Sequence, residues 1–452
     1  MTDPFDRLRQ PVEPLPPPAG TFDLLLARAH RRRTARTTLL AALVAVVLSV
    51  GGGLTLTAGR QDSSGRLVTP AGPGHPPSPS ASPTPSKRPP ATAATPTPPG
   101  GLPIPRVAPG GPVPPGFLPY SVTSVGGGVT YLLGDAPCRT APCTSVVRST
   151  DGGRSWIGVP APKAALPRWQ AGRVSPGSTV RDLRFASLRD GWAFGGALYA
   201  THDGARTWRP VDVGGSVLDL ATDGSTTYAV VAACDRQGFN CSGARLRSTK
   251  ADRDDWRDVS GVGGGVYDDG QLSLGGGVGV VTLSAPLTGP GREDRLFVRS
   301  GVLWKPVGPP CANRLSAVAA SASAPRLFAF CGDGAAGSVY LTTYLSDDNG
   351  SSWRRQAGTA LQLPSGPLVT FTAPTADVVL AASTTPDRGG RLARSADGGR
   401  TWNDAAVPAL PYGWRYVGAR TASSVVALPG KPDGSVWNSS DGGLRWAAYR
   451  FR

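Results

Sequence analysis

Histidine is scarce in this chain, which limits the metal sites it can build. Only His30, His75 and His202 occur among 452 residues. Structural zinc sites need cysteine or histidine ligands at tight spacing, and the sequence contains no C-x-x-C pair. The six cysteines are an even number that falls into three local pairs. The composition therefore predicts disulfides, no metal and no other cofactor.

Carboxylates for catalysis are also few. From residue 116 onward glutamate occurs once, as Glu293 in an R-E-D loop. Glycoside hydrolases usually place two carboxylates around the bond they cleave. Aspartates near predicted strand ends are the other candidates, and nothing in their spacing selects a pair: Asp182, Asp219, Asp223, Asp268 and Asp269.

Phosphate-binding loops are missing too. The glycine runs at 263–265 and 275–277 have no G-K-[ST] after them and no βαβ unit around them. Nucleic acid is not an expected partner. Residues 116–452 carry 35 lysines and arginines against 26 acidic residues, a surplus that is modest for their number.

What the chain does have is a periodic tryptophan. Trp156, Trp208, Trp256, Trp304, Trp353, Trp402 and Trp446 follow one another at intervals of 52, 48, 48, 49, 49 and 44 residues. Five of them end a common phrase, as in S-T-D-G-G-R-S-W at Ser149–Trp156 and S-A-D-G-G-R-T-W at Ser395–Trp402. The copies at Trp256 and Trp304 keep only the spacing. A period of about 40–50 residues rich in short strands predicts the blades of a propeller.

Each residue type in the phrase suits a tight turn. The aspartate accepts hydrogen bonds from nearby backbone N–H groups, and glycine adopts a positive φ that a β-carbon resists. The tryptophan opens the next strand and covers the sheet edge with a large apolar surface.

The phrase resembles the Asp-box, or BNR, repeat of sialidases, sortilin-type receptors and photosystem II assembly and stability factors. This resemblance implies an all-β, seven-bladed β-propeller in which each box joins the third and fourth strands of a blade. Propellers host many functions, so the resemblance says little about activity. The structural Asp-box residues are Asp151, Trp156, Asp203, Trp208, Asp348, Trp353, Asp397, Trp402, Asp441 and Trp446.

Sialidase activity is the enzymatic alternative that the resemblance raises. It implies a tyrosine nucleophile next to a carboxylate, an aspartic acid, an arginine triad and an F-R-I-P phrase. The chain offers only P-I-P-R at Pro103–Arg106, and no tyrosine lies near Glu293 in sequence. We therefore assign no catalytic residue.

The first 115 residues divide into three segments by composition. Residues 1–36 form a polar tail that ends in an arginine cluster, and residues 37–58 carry no charge. Twenty-two helical residues span ~33 Å, enough for a bilayer core of ~30 Å. The arginines precede the apolar stretch, which predicts a cytoplasmic N-terminus and an extracellular remainder. The charged region is too long for a usual signal peptide and no A-x-A site follows, so we expect an uncleaved single-pass anchor in the cell membrane.

Residues 59–115 form a linker rich in proline, serine and threonine that is expected to be disordered. The propeller is predicted over 116–452. Arginine outnumbers lysine, and alanine, glycine and proline are abundant, as is typical of actinobacterial proteins.

Strand counting assigns the loops to two faces of the propeller. Loops between strands two and three, and connectors between blades, share a face that we name the top face. The boxes then lie on the opposite, bottom face. The expected pairs Cys138–Cys143, Cys234–Cys241 and Cys311–Cys331 all fall on the top face, and an extracellular location favours disulfides.

The top face is also where we expect a partner. Exposed tryptophan, tyrosine and arginine are enriched in interface anchors, and braced loops lose less entropy on binding. The predicted binding residues are Arg139, Lys163, Arg168, Trp169, Arg173, Arg236, Phe239, Arg292, Tyr412 and Trp414. The sequence thus favours a membrane-anchored, non-enzymatic module that binds or scaffolds a protein or cell-surface glycan. The alternative is an exo-sialidase-like glycoside hydrolase.

Overall fold

A computed structural model describes residues 107–138, 143–166, 179–234, 241–267, 269–285, 294–311, 314–335, 338–364, 368–384 and 390–452. The chain divides into two units, Met1–Thr95 and Pro96–Arg452. The first unit, with the predicted tail, anchor and most of the linker, lies outside the described residues. Within the described ranges no helix is long and apolar enough to cross a membrane.

Seven antiparallel sheets make up the described part of the second unit, which confirms a seven-bladed β-propeller. Blade one consists of β1 (Leu118–Gly126), β2 (Val129–Asp135), β3 (Thr144–Ser149) and β4 (Ile157–Val159), and blade two of β5 (Asp182–Phe185), β6 (Gly191–Phe194), β7 (Tyr199–Thr201) and β8 (Arg209–Pro210). Blade three consists of β9 (Ser216–Thr222), β10 (Thr226–Ala233), β11 (Cys241–Lys250) and β12 (Arg257–Gly263), with β13 (Val266–Tyr267) beside β11. Blade four consists of β14 (Asp269–Gly275), β15 (Val278–Ser284), β16 (Arg295–Ser300) and β17 (Leu303–Val307).

The last three blades repeat this order. Blade five consists of β18 (Arg314–Ala320), β19 (Leu327–Ala335), β20 (Ser338–Ser346) and β21 (Arg354–Arg355), with β22 (Leu361–Pro364) beside β20. Blade six consists of β23 (Leu368–Thr372), β24 (Val379–Thr384), β25 (Leu392–Ser395) and β26 (Asn403–Asp404). Blade seven consists of β27 (Trp414–Ala419), β28 (Val425–Pro429), β29 (Ser435–Ser439) and β30 (Ala447–Arg450).

The core lies between blades rather than within them. A second strand is covered by a neighbouring blade on each face, so it reads as a continuous apolar run instead of an alternating one. Every residue of β15, β24 and β28 is buried. One hydrophobic cluster joins β9–β13 of blade three to β14–β17 of blade four through Leu218, Leu246, Val281 and Trp304.

The ring closes by packing between blades one and seven. All four strands of blade seven come from consecutive chain, so no strand is exchanged between the ends of the propeller. Phe117 packs edge-on against Phe451 at 5.0 Å between ring centroids. Trp156 of blade one contacts Tyr449 and Phe451 of blade seven. These aromatic contacts and the buried cluster around them hold blades one and seven together.

The three disulfides are confirmed. Cys138 pairs with Cys143 and Cys234 with Cys241, each pair closing a loop between strands two and three. Cys311, in the connector that enters blade five, pairs with Cys331 of β19. Because strands alternate in direction, all three pairs lie at the top face.

The repeated turn has the geometry that its residue types predict. In blade six, Asp397 Oδ1 accepts hydrogen bonds from the Arg400 N–H at 3.1 Å and the Thr401 N–H at 2.9 Å. The Thr401 hydroxyl donates to Oδ2 at 2.6 Å, and the Ser395 hydroxyl donates to Oδ1 at 2.8 Å. Gly399 has a φ of +86°, which is costly for residues with a β-carbon.

Blade two departs from this pattern at one residue. Ala205 occupies the position of the second glycine and still has a φ of +67°. Its N–H donates to the Thr201 hydroxyl at 3.0 Å, so the turn retains its hydrogen bond despite the strained backbone.

The two degenerate copies still contribute a buried indole. Trp256 is 8% exposed and precedes β12, the position that the other tryptophans take before their fourth strands. Trp304 is 4% exposed but lies inside β17, because a tight turn at Gly301–Val302 replaces the longer box turn. The seven-blade interpretation of the spacing is therefore confirmed.

Replacing Asp397 by alanine is expected to lower the free energy of unfolding by about 1–3 kcal/mol, because four donors lose a charged acceptor. Chemical denaturation of the purified chain measures this. Asp404→Ala in the same blade is the control: its exposed ion pair with Arg391, 2.7 Å long, is worth at most about 1 kcal/mol. Equal effects of the two changes would contradict the role given to the turn.

Candidate functional site: the central channel

The seven innermost strands enclose a channel of about 540 Å³. It is lined by side chains of β1, β5, β9, β14, β18, β23 and β27. This volume lies within the range of small-ligand sites, about 300–1,000 Å³. Each inner strand starts at the top face and ends at the bottom face, so a residue's position in its strand gives its depth in the channel.

Hydrogen bonds tie neighbouring inner strands together around the channel. Side chains of one strand accept bonds from backbone N–H groups of the next: Ser121 from Leu183, Thr123 from Phe185, Asp219 from Leu272, Ser273 from Ala320, Thr370 from Val417 and Thr372 from Ala419. These bonds give a partner to some of the N–H groups at the inner edge of each sheet, which would otherwise be free. The wall is braced, and these donors are not free to pair with another strand.

Charged and phenolic side chains cluster toward the top of the channel. They occupy the first three positions of inner strands or the position just before, apart from Asp219, the fourth residue of β9. We name this set the upper channel site: Tyr120, Arg181, Asp182, Arg184, Asp219, Asp269, Arg415 and Tyr416.

Arg181 is held by two neighbours. Its Nε lies 2.9 Å from Asp182 Oδ2, and its Nη2 donates to the Leu218 carbonyl at 2.9 Å. Burial would lower the pKa of Arg181, but the nearby carboxylates, Asp182 foremost, raise it above its ordinary value. Arg181 therefore ties blade two to blade three and is a fixed cation.

Arg184 and Arg415 are less engaged. Nη1 of Arg184 donates to the Leu183 carbonyl of its own strand at 2.9 Å. The Arg415 guanidinium lies over the Tyr120 ring, 4.9 Å from its centroid. Within the described residues neither guanidinium has a carboxylate oxygen within the 4.0 Å of an ion pair. Both feel the charge of Asp182 at longer range.

Asp219 and Asp269 are carboxylates held by backbone. Asp219 Oδ1 accepts from the Leu220 N–H and Oδ2 from the Leu272 N–H, both at 2.8 Å. Asp269 Oδ1 accepts from the Gly270 N–H at 2.9 Å. Burial raises the pKa of Asp219 to about 6, although Arg184 opposes this, and burial also raises the pKa of Asp269. Removal from water outweighs the hydrogen bonds in both carboxyl groups.

None of the ten predicted binding residues belongs to the upper channel site. Of the ten, Arg139, Arg168, Trp169, Arg173, Arg236, Phe239 and Arg292 lie outside the described residues, so their role stays a prediction. Lys163 is exposed on the connector after blade one, and Tyr412 is half-buried beside Lys431, whose Nζ lies 5.4 Å from its ring.

Trp414 does not fit the prediction of an exposed anchor. It is 1% exposed and packs between blades six and seven, where its ring meets Trp437 at 5.6 Å. The prediction fails for this residue because Trp414 is the first residue of β27 and its indole turns into the core between the blades.

The fold also places the candidate catalytic carboxylates in different parts of the molecule. Asp182, Asp219 and Asp269 line the channel, whereas Asp223 lies beyond the lower end of β9 in an ion pair of 2.9 Å with Arg299. Glu293 and Asp268 lie outside the described residues. No group of three histidine, cysteine or acidic side chains in the described ranges can hold a metal ion.

Comparison with known proteins identifies no family for this chain. The chain matches no family model and no curated protein sequence. Among solved structures it resembles YCF48 bound to D1 peptide, with a TM-score of 0.47 and 15% identity over 75% of this chain and 97% of that one. YCF48 from Cyanidioschyzon merolae gives a TM-score of 0.47 and 14% identity over 74% and 98% of the two chains.

A GH74 enzyme from Niastella koreensis has a TM-score of 0.30 and 13% identity, over 73% of this chain and 65% of the enzyme. Identities this low speak to the propeller fold alone. The structures it resembles therefore include a peptide-bound protein and an enzyme, and they do not decide between binding and catalysis.

Proposed function

We propose that this chain is a membrane-anchored, extracellular propeller of the Asp-box type that binds a ligand in its central channel and releases it unchanged. The upper channel site carries the proposal. It combines a concave volume, two guanidiniums that have no ion-pair partner among the described residues, and phenolic rings, the mixture of apolar wall and few polar groups that ligand sites use.

A glycan suits this channel better than an extended peptide. Peptides often bind by adding a strand to a free sheet edge. Here several inner-edge N–H groups already donate to side chains of the neighbouring blade, as Val417 does to Thr370 at 3.1 Å. The wall offers hydroxyl, amide and aromatic side chains instead. We therefore propose a cell-surface glycan as the ligand class, with a protein partner as the other possibility that the fold allows.

Hydrolysis of a glycan is the second candidate function. Asp219 favours it, since a carboxyl group with a pKa of about 6 suits a general acid. Yet both Asp219 oxygens accept backbone N–H groups, and one of these bonds joins blades three and four. A general acid must direct its proton at the substrate. The geometry thus supports Asp219 as a structural link and favours binding over cleavage.

The test is binding of the detergent-solubilised full chain to an array of neutral and acidic oligosaccharides, with sugar release measured in parallel. Gln271 lines the channel on β14, so Gln271→Trp is expected to block the channel and abolish binding. The control is Arg154→Trp, which puts the same indole on an exposed bottom-face turn. Binding that survives Gln271→Trp, or turnover of a bound glycan, would overturn the proposal.

The proposed membrane anchor leads to a separate prediction about topology. If residues 37–58 cross the membrane with the arginine cluster inside, protease added to intact cells releases a fragment that starts within residues 59–115. Antibody against the first 36 residues then detects a protected membrane-bound remnant. Loss of that tail epitope with an intact propeller would mean that the topology is inverted.

A further inference from the structure

The chain that carries the predicted anchor joins the propeller at the bottom face. Val107 packs against the box turn of blade two, where a β-carbon added at Gly204 would lie 2.7 Å from its Cγ1. Ala108 is buried in the cluster between blades one and two. The next residues run along the outer edge of β4, where Gly111 and Gly158 exchange two backbone hydrogen bonds of 2.9 Å. The chain before residue 107 therefore reaches the propeller at the face that holds the boxes.

Five exposed arginines lie on bottom-face turns of the neighbouring blades six, seven, one and two. We name this set the basic arc: Arg400, Arg420, Arg445, Arg154 and Arg206. Within the described residues none of the five has a carboxylate oxygen within the 4.0 Å of an ion pair. The arc therefore presents positive charge that the fold does not neutralise by direct contact.

The aspartates of the same turns are held by the turns' own donors. Asp151 Oδ1 accepts the N–H groups of Arg154 and Ser155, both at 3.0 Å, and its Oδ2 accepts the Ser155 hydroxyl at 2.6 Å. Asp441 Oδ1 likewise accepts the Arg445 N–H at 2.9 Å. The aspartates are half-buried and the arginines are exposed, so the arginines are the charged groups that a partner would meet first.

Bottom-face arginines on the other side of the ring are paired. Arg299 of blade four lies 2.9 Å from a carboxylate oxygen of Asp223 of blade three. Arg326 of blade five forms an ion pair with Asp347 of the same blade. The fold thus neutralises the arginines of blades three to five and leaves those of the basic arc available to an anionic partner.

The three most exposed large apolar side chains of the described residues also belong to bottom-face turns. Val302 is 88% exposed and Leu303 56% exposed in the turn of blade four, and Leu444 is 55% exposed in the box of blade seven. Arg154 and Arg400 hold the position of Leu444 in their own boxes. Blades four and seven are three places apart in a ring of seven, so a broad, flat partner would contact both apolar turns at once.

We infer that the bottom face of the propeller docks on the anionic lipid surface of the membrane that anchors the chain, with the basic arc on the headgroups and Leu444 and Val302 in the interface. Apolar burial and attraction to anionic lipids together produce interfacial binding. A tether that joins at this face makes docking intramolecular, so weak contacts are sufficient. The inference rests on the membrane anchor of the proposed function, and it leaves the top mouth of the channel open to solvent.

The test places the photocrosslinking residue p-benzoylphenylalanine in the full chain, in place of Leu444, Val302 or Tyr340. Tyr340 is 43% exposed near the top end of β20 and is the control position. The chain is reconstituted into vesicles of phosphatidylcholine, with or without phosphatidylglycerol, and lipid adducts are measured by mass spectrometry. We expect adducts at positions 444 and 302 in the anionic vesicles and none at 340. Neutral lipid or high salt is expected to lower the yield, because salt screens exposed charges.

The double variant Arg420→Gln with Arg445→Gln tests the basic arc. It is expected to lower the adduct yield at positions 444 and 302 by about fivefold or more, since one arginine near an anionic surface adds about a factor of five. The matched control is Arg314→Gln with Arg450→Gln. It removes equal charge from exposed top-face positions, at the start of β18 and the end of β30, and should keep the yield. Equal thermal midpoints check that both variants fold.

Flotation of the same samples separates docking from anchoring. A chain that floats with the vesicles and gives no adduct at positions 444 and 302 keeps the anchor and overturns docking. Equal yields at 340 and 444, or equal losses in the two double variants, also overturn it. If an added acidic polysaccharide takes the label in place of lipid, the face binds a polyanion and lipid is the wrong partner. A chain that does not float lacks the anchor, and docking fails with it, whereas glycan binding in the channel depends on neither.

Discussion

Replacing Trp414 by alanine is expected to lower the free energy of unfolding by about 3–5 kcal/mol. The side chain is 1% exposed and belongs to a buried cluster that includes Leu380 of blade six and Val425 of blade seven. Truncating a buried tryptophan removes its transfer free energy and leaves a cavity that the braced sheets cannot fill. Denaturant unfolding of the purified chain, followed by circular dichroism, measures the loss.

Tyr412→Ala is the control for this change. Tyr412 is half-buried two residues earlier on the same connector and contacts Lys431 at the surface. Its truncation is expected to cost no more than about 1 kcal/mol, as for other surface substitutions. A Trp414→Ala protein as stable as the parent would contradict the position of the indole in the core, and would restore this tryptophan to the set of surface anchors.

The stability of the propeller is expected to fall as pH rises through about 9, because of His202. Its Nδ1 lies 3.0 Å from Asp190 and its Nε2 lies 3.1 Å from Asp254, so the imidazolium donates to a carboxylate on each side. The hydrogen bond to Asp190, then that to Asp254, raises the pKa of His202 to about 9 from 6.5. Asp254 belongs to blade three, so the histidine joins two blades.

The sign follows from the raised pKa. Below pH 6.5 the imidazole is protonated in the folded and the unfolded chain, and the stabilisation is fully present. Between pH 6.5 and about 9 only the folded chain holds the proton, and the advantage declines until it is lost above the folded pKa. A shift of this size corresponds to roughly 3 kcal/mol, and because solvent screens the partly exposed His202 we expect a smaller contribution than this.

A non-titrating variant isolates the effect. The difference in unfolding free energy between the parent and His202→Gln is expected to be largest at pH 6 and close to its minimum at pH 10. Tyrosines and lysines titrate equally in both proteins and cancel from the difference. A difference that does not change with pH would contradict the ion-pair role of His202.

Local repetition explains why the architecture could be predicted from the sequence. Each box places its aspartate, glycine and tryptophan within eight residues, so one short turn has the same geometry wherever the phrase occurs. Seven tryptophans at one spacing then count the blades, even where Trp256 and Trp304 have lost the phrase. The cysteine pairs follow, since alternating strand directions bring both cysteines of each pair to the top face.

The channel could not be predicted in the same way. Arg184 and Arg415 are far apart in sequence, and only closure of the ring brings blades two and seven to a common cavity. The hydrogen bonds that Ser121 and Thr370 accept from backbone N–H groups of the next blade depend on the register between sheets, which no local pattern encodes. A sequence signal did exist, in the arginines and aspartates that open inner strands, as in V-R-D-L-R-F before and along β5.

Trp414 shows the limit of reasoning from residue type. Tryptophan is enriched both in interfaces and in cores, and strand parity placed this residue on the correct face. Its direction depends on how the connector enters β27, and the fold turns it toward Val417 and Val425.

The most direct test of the central claim is the site of photocrosslinking by a diazirine derivative of the oligosaccharide that binds best in the array experiment. The full chain is irradiated with the probe, and the labelled peptides are mapped by mass spectrometry. Binding in the channel predicts label on β5 and β27, around Arg184 and Arg415, that an excess of unmodified oligosaccharide removes. Competable label confined to the bottom-face turns, such as residues 395–402, would contradict the channel as the binding site.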